Sequence, residues 1–295
     1  MKILIIGAKG QLGSELCSCF ERGRTELGNI PEGLKEASVS AVDIDTLDIS
    51  DDAAVSGLLE KERFDAVINC AAFTNVNACE TEREAAFKAN AIGPRNMAVA
   101  CEKIGAKLIH ISTDYVFAGD GSVPYCEYDV CAPQSVYGKT KYLGEQYVRE
   151  FCSRYFIIRT SWLYGYNGSN FVHTMKKLGE TKSEITVVND QRGNPTNAAD
   201  LAHHVLALVP TEEYGIYHCT GNGECTWYEF ACKIMKLYGL NCRVKPCTTD
   251  EYPTPAKRPA FSSLDNMMLR VTVRDNMRDW QDALEYFIKK ERGLL

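Results

Sequence analysis

Tyr137 and Lys141 stand four residues apart, a spacing that puts both side chains on one face of a helix while Lys139 points elsewhere. A phenol with a pKa of about 10 is a sluggish proton donor at neutral pH, but an ammonium within about 6 Å stabilises the phenolate and lowers that pKa. The pair is therefore suited to protonating an oxygen that gains negative charge. Ser112-Thr113-Asp114-Tyr115 follows the apolar run Leu108 to Ile111, and a Thr113 hydroxyl beside Tyr137 would bond and polarise a carbonyl. Tyr-x-x-x-Lys recurs by chance on many helices, so its weight comes from what surrounds it.

What surrounds it is a turn suited to a dinucleotide. Lys2 to Ile6 runs into Gly7-Ala8-Lys9-Gly10-Gln11-Leu12-Gly13, and helical spacing follows over Ser14 to Phe20. Gly7, Gly10 and Gly13 permit a tight turn and let backbone approach a pyrophosphate; the helix behind them offers unpaired N–H groups and the positive end of its dipole. Asp43 ends the next strand, where a carboxylate accepts from ribose hydroxyls and repels a 2′-phosphate. That leans toward NADH, although Lys35, Lys61 or Arg63 would accommodate NADPH, so both cofactors stay open. Asp48 and Ile49 are placed to flank the adenine. In Asn69-Cys70-Ala71-Ala72-Phe73-Thr74 small residues let the chain pass close to the cofactor.

These residues need a frame with strand ends gathered at one edge. Short apolar runs recur at 2–6, 39–42, 66–69, 107–111 and 155–159, separated by helix-like stretches such as 82–101 and 138–152. The alternation predicts an α/β fold, a doubly wound parallel sheet with helices on both faces. The rhythm weakens after Thr160, and turns at 165–170, 193–196 and 252–259 mark a smaller C-terminal part. The expected division is a dinucleotide-binding domain over 1–160, with a return near 185–210, and a mainly substrate-binding domain over 161–295. A cleft between them would lie beyond the carboxyl ends of the strands, where ligands of such sheets bind.

Bulk properties narrow the class further. With 295 residues the chain can bury a large core, and 45% apolar and 24% charged residues are ordinary globular usage. A net charge of −6 without a basic stripe argues against a nucleic-acid partner. No apolar run reaches the roughly 18 residues of a membrane span, and the start of the chain does not read as an export signal. The 13 cysteines lack zinc-site spacing and read as reduced thiols, so the expectation is a cytoplasmic protein with no membrane partner and no metal.

The three features together resemble the extended short-chain dehydrogenase/reductases with their Rossmann-type sheet, and more narrowly the dTDP-4-dehydrorhamnose reductase family. The resemblance runs through nearly the whole chain. It is carried by GAKGQLG at 7–13, NCAAFTNVNACE at 69–80, STDYVFAGDG at 112–121, YGKTK at 137–141, RTSWLYG at 159–165, NDQRGNPT at 189–196 and YPTPAKRPAFSSL at 252–264. It implies Thr113, Tyr137 and Lys141 as catalytic residues, and Gly10, Gln11, Leu12, Asp43, Asp48, Ile49, Ala72, Phe73 and Thr74 around the cofactor. It also implies Thr113, Asp114 and Trp162 at the sugar, with Asn170, Gln191, Tyr252 and Arg258 as candidates for the nucleotide diphosphate. Arg258 suits phosphate through its fork of donors.

The implied reaction is NAD(P)H-dependent reduction of the C4 ketone of a dTDP-linked 4-keto-6-deoxy sugar, and a homodimer stays open. The chain departs from the family at 74–80, where an aspartate is lost. Glu15 matches a residue some members use for magnesium at a dimer contact, but its later acidic partners do not line up. Two other readings compete. One is an epimerase or dehydratase of the same superfamily, disfavoured because Thr113-Asp114-Tyr115 lacks the dehydratases' Asp-Glu pair. The other is a non-catalytic regulatory subunit resembling that of methionine adenosyltransferase.

Overall fold

The structure is a computed structural model that describes residues 1–295. Its frame is a six-stranded, wholly parallel sheet built from β1 (Lys2–Ile6), β2 (Ser38–Val42), β3 (Ala66–Asn69), β4 (Lys107–Thr113), β5 (Tyr155–Thr160) and a late strand, Gly215–His218. In the sheet the late strand lies beside β5, followed by β4, β3, β1 and β2. The chain steps from β1 outward to β2, then returns to pair β3 against the other side of β1. The order therefore reverses beside β1, and the turns after β1 and β3 meet at that point.

Successive side chains of a strand face opposite ways, and the central strands are buried on both faces, which is why their middles are apolar. Ile3, Ile5, Ile109 and Phe156 point to one face with Leu12 and Leu16 of α1 (Gln11–Arg22); Leu4, Ile6, Val67 and Leu108 point to the other. That second face is covered by α2 (Asp52–Glu62), by α5 (Gly93–Ile104), and by α6 (Val136–Phe151). Between α2 and α5 run the short α3 (Val76–Thr81) and α4 (Arg83–Phe87). The continuous helix expected over 82–101 is instead interrupted by one wide turn, Lys88–Ile92, of π type. Pro94 offers no N–H at the start of α5, and the buried Asn90 side chain turns away to bind the chain at Phe73.

Beyond β5 the chain builds a second lobe from short pieces: β6 (Leu163–Tyr164), α7 (Phe171–Thr181), β7 (Glu184–Val188), β8 (Arg192–Gly193) and β9 (Thr196–Asn197). It returns to the sheet with α8 (Ala198–Leu208), which packs on α1, and with the late strand, β10. Then β11 (Cys225–Thr226), α9 (Trp227–Tyr238), β12 (Arg243–Cys247), α10 (Met267–Thr272) and α11 (Trp280–Glu291) follow. A separate aromatic core of Tyr164, Phe230, Trp280 and Phe287 holds this lobe. All 13 cysteines are free, and no helix is long and apolar enough to cross a membrane.

Candidate active site

The carboxyl end of β4 carries Thr113, and the first turn of α6 carries Tyr137; local sequence brings the two together. Ser135 caps α6 by accepting from Gly138 N at 3.1 Å, and the Glu80 carboxylate accepts from Val136 N at 2.8 Å. Gly138 then lies against the turn that follows β4. A methyl group there would stand 2.2 Å from the Tyr115 carbonyl oxygen, so only glycine lets the helix start this close. As a result the Tyr137 and Tyr115 rings meet edge to face at 5.5 Å.

Thr113 is buried, and its hydroxyl donates to Asp114 Oδ1 at 2.9 Å while accepting from Tyr115 N at 3.2 Å. Burial pushes the Tyr137 phenol well up, with the Thr113 hydroxyl opposing the rise. Lys141 is sealed at the end of β4, where its ammonium donates to the Ile111 carbonyl at 2.6 Å. Burial brings it down to about 8, opposed by Glu145. Asp114 is 2% exposed, and burial pushes it up to about 6 against the Ser262 and Thr113 hydroxyls and the backbone N–H groups of Asp114 and Tyr115.

The glycine turn lies at the neighbouring strand end. Gly7 has φ +78°, and a Cβ on it would come 2.7 Å from Ala71 N; a Cβ on Gly13 would come 2.1 Å from the Gly7 carbonyl oxygen. Gly10 caps α1 without any side-chain bond, so the first N–H groups of the helix are left for a ligand. A cradle closed to any Cβ, with free helix N–H groups, fits a dinucleotide pyrophosphate. Asp43 holds the turn, accepting from Lys9 N and Ile44 N, each at 2.8 Å. Ala71 N donates to Asn69 Oδ1, and Phe73 is clasped by Asn90, which also donates to Thr140 in α6 at 3.2 Å. Ala72 and Thr74 complete that segment, Thr74 exposed.

Other expected residues are placed differently from one another. Leu12 is core, Ile49 is buried with its carbonyl held by Asn96, and the exposed Asp48 binds the Ser50 N–H and hydroxyl. Asn170 caps α7 and donates to Gln11 Oε1 at 3.1 Å, which puts it at the glycine turn. Gln191 bonds the Thr249 hydroxyl, and Tyr252, 57% exposed, closes the same turn by donating its N–H to the Thr249 carbonyl. Trp162 stacks on Trp227 with centroids 3.5 Å apart, and its φ of +45° is costly for a bulky residue.

Arg258 reaches the Tyr115 hydroxyl at 3.5 Å. The strand-like segment after it is clamped on both sides, Phe261 N to the Gly119 carbonyl and Ser262 N to the Arg192 carbonyl. Tyr115, Gln134, Ser135 and Arg258 line a cleft of about 300 Å³. A second hollow of about 350 Å³ continues it past Gly119, Asp120 and Ala260 to Asn189 and Arg192. Three residues that sequence reasoning passed over thus matter here: Asn90, Ser262 and Lys9, whose ammonium pairs with Asp45 beside Asp43.

A parallel sheet reversing beside β1, a glycine cradle there, and a Thr–Tyr–Lys group at the next strand ends define a short-chain dehydrogenase/reductase. Comparison with known proteins narrows this. The family model described as RmlD substrate binding domain matches residues 1–292, and the chain belongs to that family. It is 42% identical, over 98% of this chain and 97% of the other, to the spore coat polysaccharide biosynthesis protein SpsK of Bacillus subtilis. It is 40% identical to a dTDP-4-dehydrorhamnose reductase of Streptomyces griseus, over 95% and 91% of the two chains. A dTDP-4-dehydrorhamnose reductase of Bacillus anthracis, solved in complex with NADP, superposes with a TM-score of 0.91 at 42% identity, covering 98% and 99%.

Proposed function

We propose that this chain is an NAD(P)H-dependent oxidoreductase that reduces the C4 ketone of dTDP-4-dehydro-L-rhamnose to give dTDP-L-rhamnose. The observation that carries the reading is the meeting of the Thr113 hydroxyl and the half-buried Tyr137 phenol at a strand end next to a dinucleotide cradle, in a chain of this family. When bound, the reduced nicotinamide supplies the hydride. Gly7, Gly10, Gln11, Gly13 and the 71–74 segment hold the dinucleotide, Asp43 stands at the ribose, and the Lys141 charge serves the nicotinamide ribose. Thr113 orients and polarises the ketone oxygen, and Tyr137 gives it a proton. Arg258 takes the diphosphate and Trp162 the sugar. Thirteen free thiols suit a reducing, cytoplasmic workplace.

The test is to mix the protein with NADPH or NADH and the keto sugar nucleotide and follow the absorbance of the reduced cofactor. In Tyr137→Phe, kcat is expected to fall at least about a hundredfold, with cofactor affinity retained, because only the proton donor is lost. Near-normal turnover by that variant would sink the assignment.

A further inference from the structure

We propose that His110 is a positioning residue for the dinucleotide: through Asn69 it fixes the stretch of backbone at Ala71 against which the glycine cradle is built. The inference rests on the cofactor reading given above. His110 in β4 lies directly across from Asn69 in β3, and both are 0% exposed. Asn69 Nδ2 stands 3.0 Å from His110 Nδ1, while Asn69 Oδ1 accepts from Ala71 N at 3.0 Å.

The two bonds settle each other. Because the amide oxygen is taken by a backbone N–H, the NH2 end of Asn69 is the one that faces the imidazole, and an NH2 group only donates. His110 Nδ1 is therefore the acceptor, and the ring is the neutral tautomer with its proton on Nε2. Burial, with the Lys141 charge behind it, favours the same neutral ring. Nε2 itself is buried without a partner. A buried donor left unbonded is unfavourable, and an aliphatic side chain in the same space would avoid that penalty. What an aliphatic side chain could not do is hold Asn69.

Ala71 matters because it forms one wall of the cradle. On one side Gly7 N and Ala8 N donate to the Val42 carbonyl at 3.0 and 3.1 Å. On the other, a Cβ on Gly7 would stand 2.7 Å from Ala71 N and 2.9 Å from Ala71 Cα. The turn is pinched between the end of β2 and the chain leaving β3, so a shift of Ala71 moves the backbone that meets the pyrophosphate. Without an acceptor at the His110 Nδ1 position, the Asn69 amide loses what keeps its oxygen toward Ala71. Turned over, it would set its NH2 group against the Ala71 N–H, donor against donor.

His110→Asn and His110→Gln separate this role from packing. Each puts an amide into the same buried site, but the Asn oxygen falls near the place of Nδ1 and the Gln oxygen near that of Nε2. His110→Asn should keep the Kd for NADPH within about threefold of wild type, whereas His110→Gln should raise it about tenfold or more. NADH should respond as NADPH does, since both carry the pyrophosphate, and dTDP affinity should change less than about twofold in either variant. Equal losses in the two variants, or a matching loss of dTDP affinity, assign His110 to packing and overturn the proposal. A wild-type protein that binds neither cofactor overturns the cofactor reading instead.

Should the variants not fold, nitrogen NMR of the wild-type protein decides. Of the five histidines, His110 should show a bare Nδ1 coupled across its hydrogen bond to an asparagine side-chain amide. His173, which lies beside the Asn170 amide, is told apart by His173→Ala. The His110 signal should move when NADPH binds and stay in place when dTDP binds. A proton on Nδ1, or a signal indifferent to NADPH, refutes the assignment.

Discussion

Arg258 touches the Tyr115 hydroxyl with one nitrogen and otherwise faces the cleft, on a segment clamped at Phe261 and Ser262. A guanidinium held this way presents its remaining donors with little entropy left to lose. Arg258→Ala should weaken dTDP binding by about 1.5–3 kcal/mol, the range for charge-assisted bonds, and leave NADPH affinity alone. Calorimetric titration of both ligands measures this; an unaltered dTDP affinity returns Arg258 to a solvated surface charge. Thr113, Tyr137 and Lys141 could be singled out as candidates from sequence because spacing and a preceding apolar strand both point to them. Asn90 was not: its work depends on a single wide helical turn that leaves no periodic trace. Ser262 was equally silent, since a serine's role depends on what it meets far back in the chain, at Asp114.

At the scale of elements, the site depends on how closely α6 begins beside the end of β4. The approach is set by Gly138, whose missing methyl would stand 2.2 Å from a backbone oxygen that has no rotamer to escape by. Gly138→Ala must shift α6 against β4 and carry Tyr137 away from Thr113. Because a misplacement of about 1 Å can cost about a hundredfold in rate, kcat should fall roughly ten- to a hundredfold while the glycine cradle still binds cofactor. A variant with wild-type kcat would show that the contact relaxes harmlessly. The strands β1, β3, β4 and β5 could be read because buried parallel strands carry near-continuous apolar runs, whereas the edge strand β2, half-exposed with two serines, gives a weaker trace. The second lobe resisted reading because β6, β8, β9 and β11 are two residues each, and β12 is largely exposed with Pro246 inside it. Elements this short take their conformation from neighbours rather than from their own pattern.

Across the whole molecule, Arg278, which leads into α11, ties the second lobe to α1 and α8. Its guanidinium holds Asp200 of α8 through Nε at 3.0 Å and Glu26, which follows α1, through Nη2 at 2.9 Å. Lys290 of α11 and the Tyr166 hydroxyl add bonds to Glu26 at 2.7 and 2.8 Å. The Asp200 and Glu26 side chains are only 1% and 2% exposed. Burial pushes Asp200 up even with the guanidinium present, while Glu26 is lowered because its bonds from Lys290, Tyr166 and Arg278 outweigh burial. Arg278→Met keeps the volume but leaves Asp200 without its cation, and breaking such a buried pair costs about 3–5 kcal/mol. Denaturant unfolding at pH 8 should show that loss. An unpaired, buried Asp200 has a folded pKa further above its unfolded value, so its penalty grows as pH rises through that range and fades as pH falls. The gap between variant and wild type should therefore be smaller at pH 5 than at pH 8. A gap of equal size at both would mean that lost packing over Tyr286, where the guanidinium lies 4.6 Å from the ring centroid, and not the stranded carboxylate, accounts for the damage.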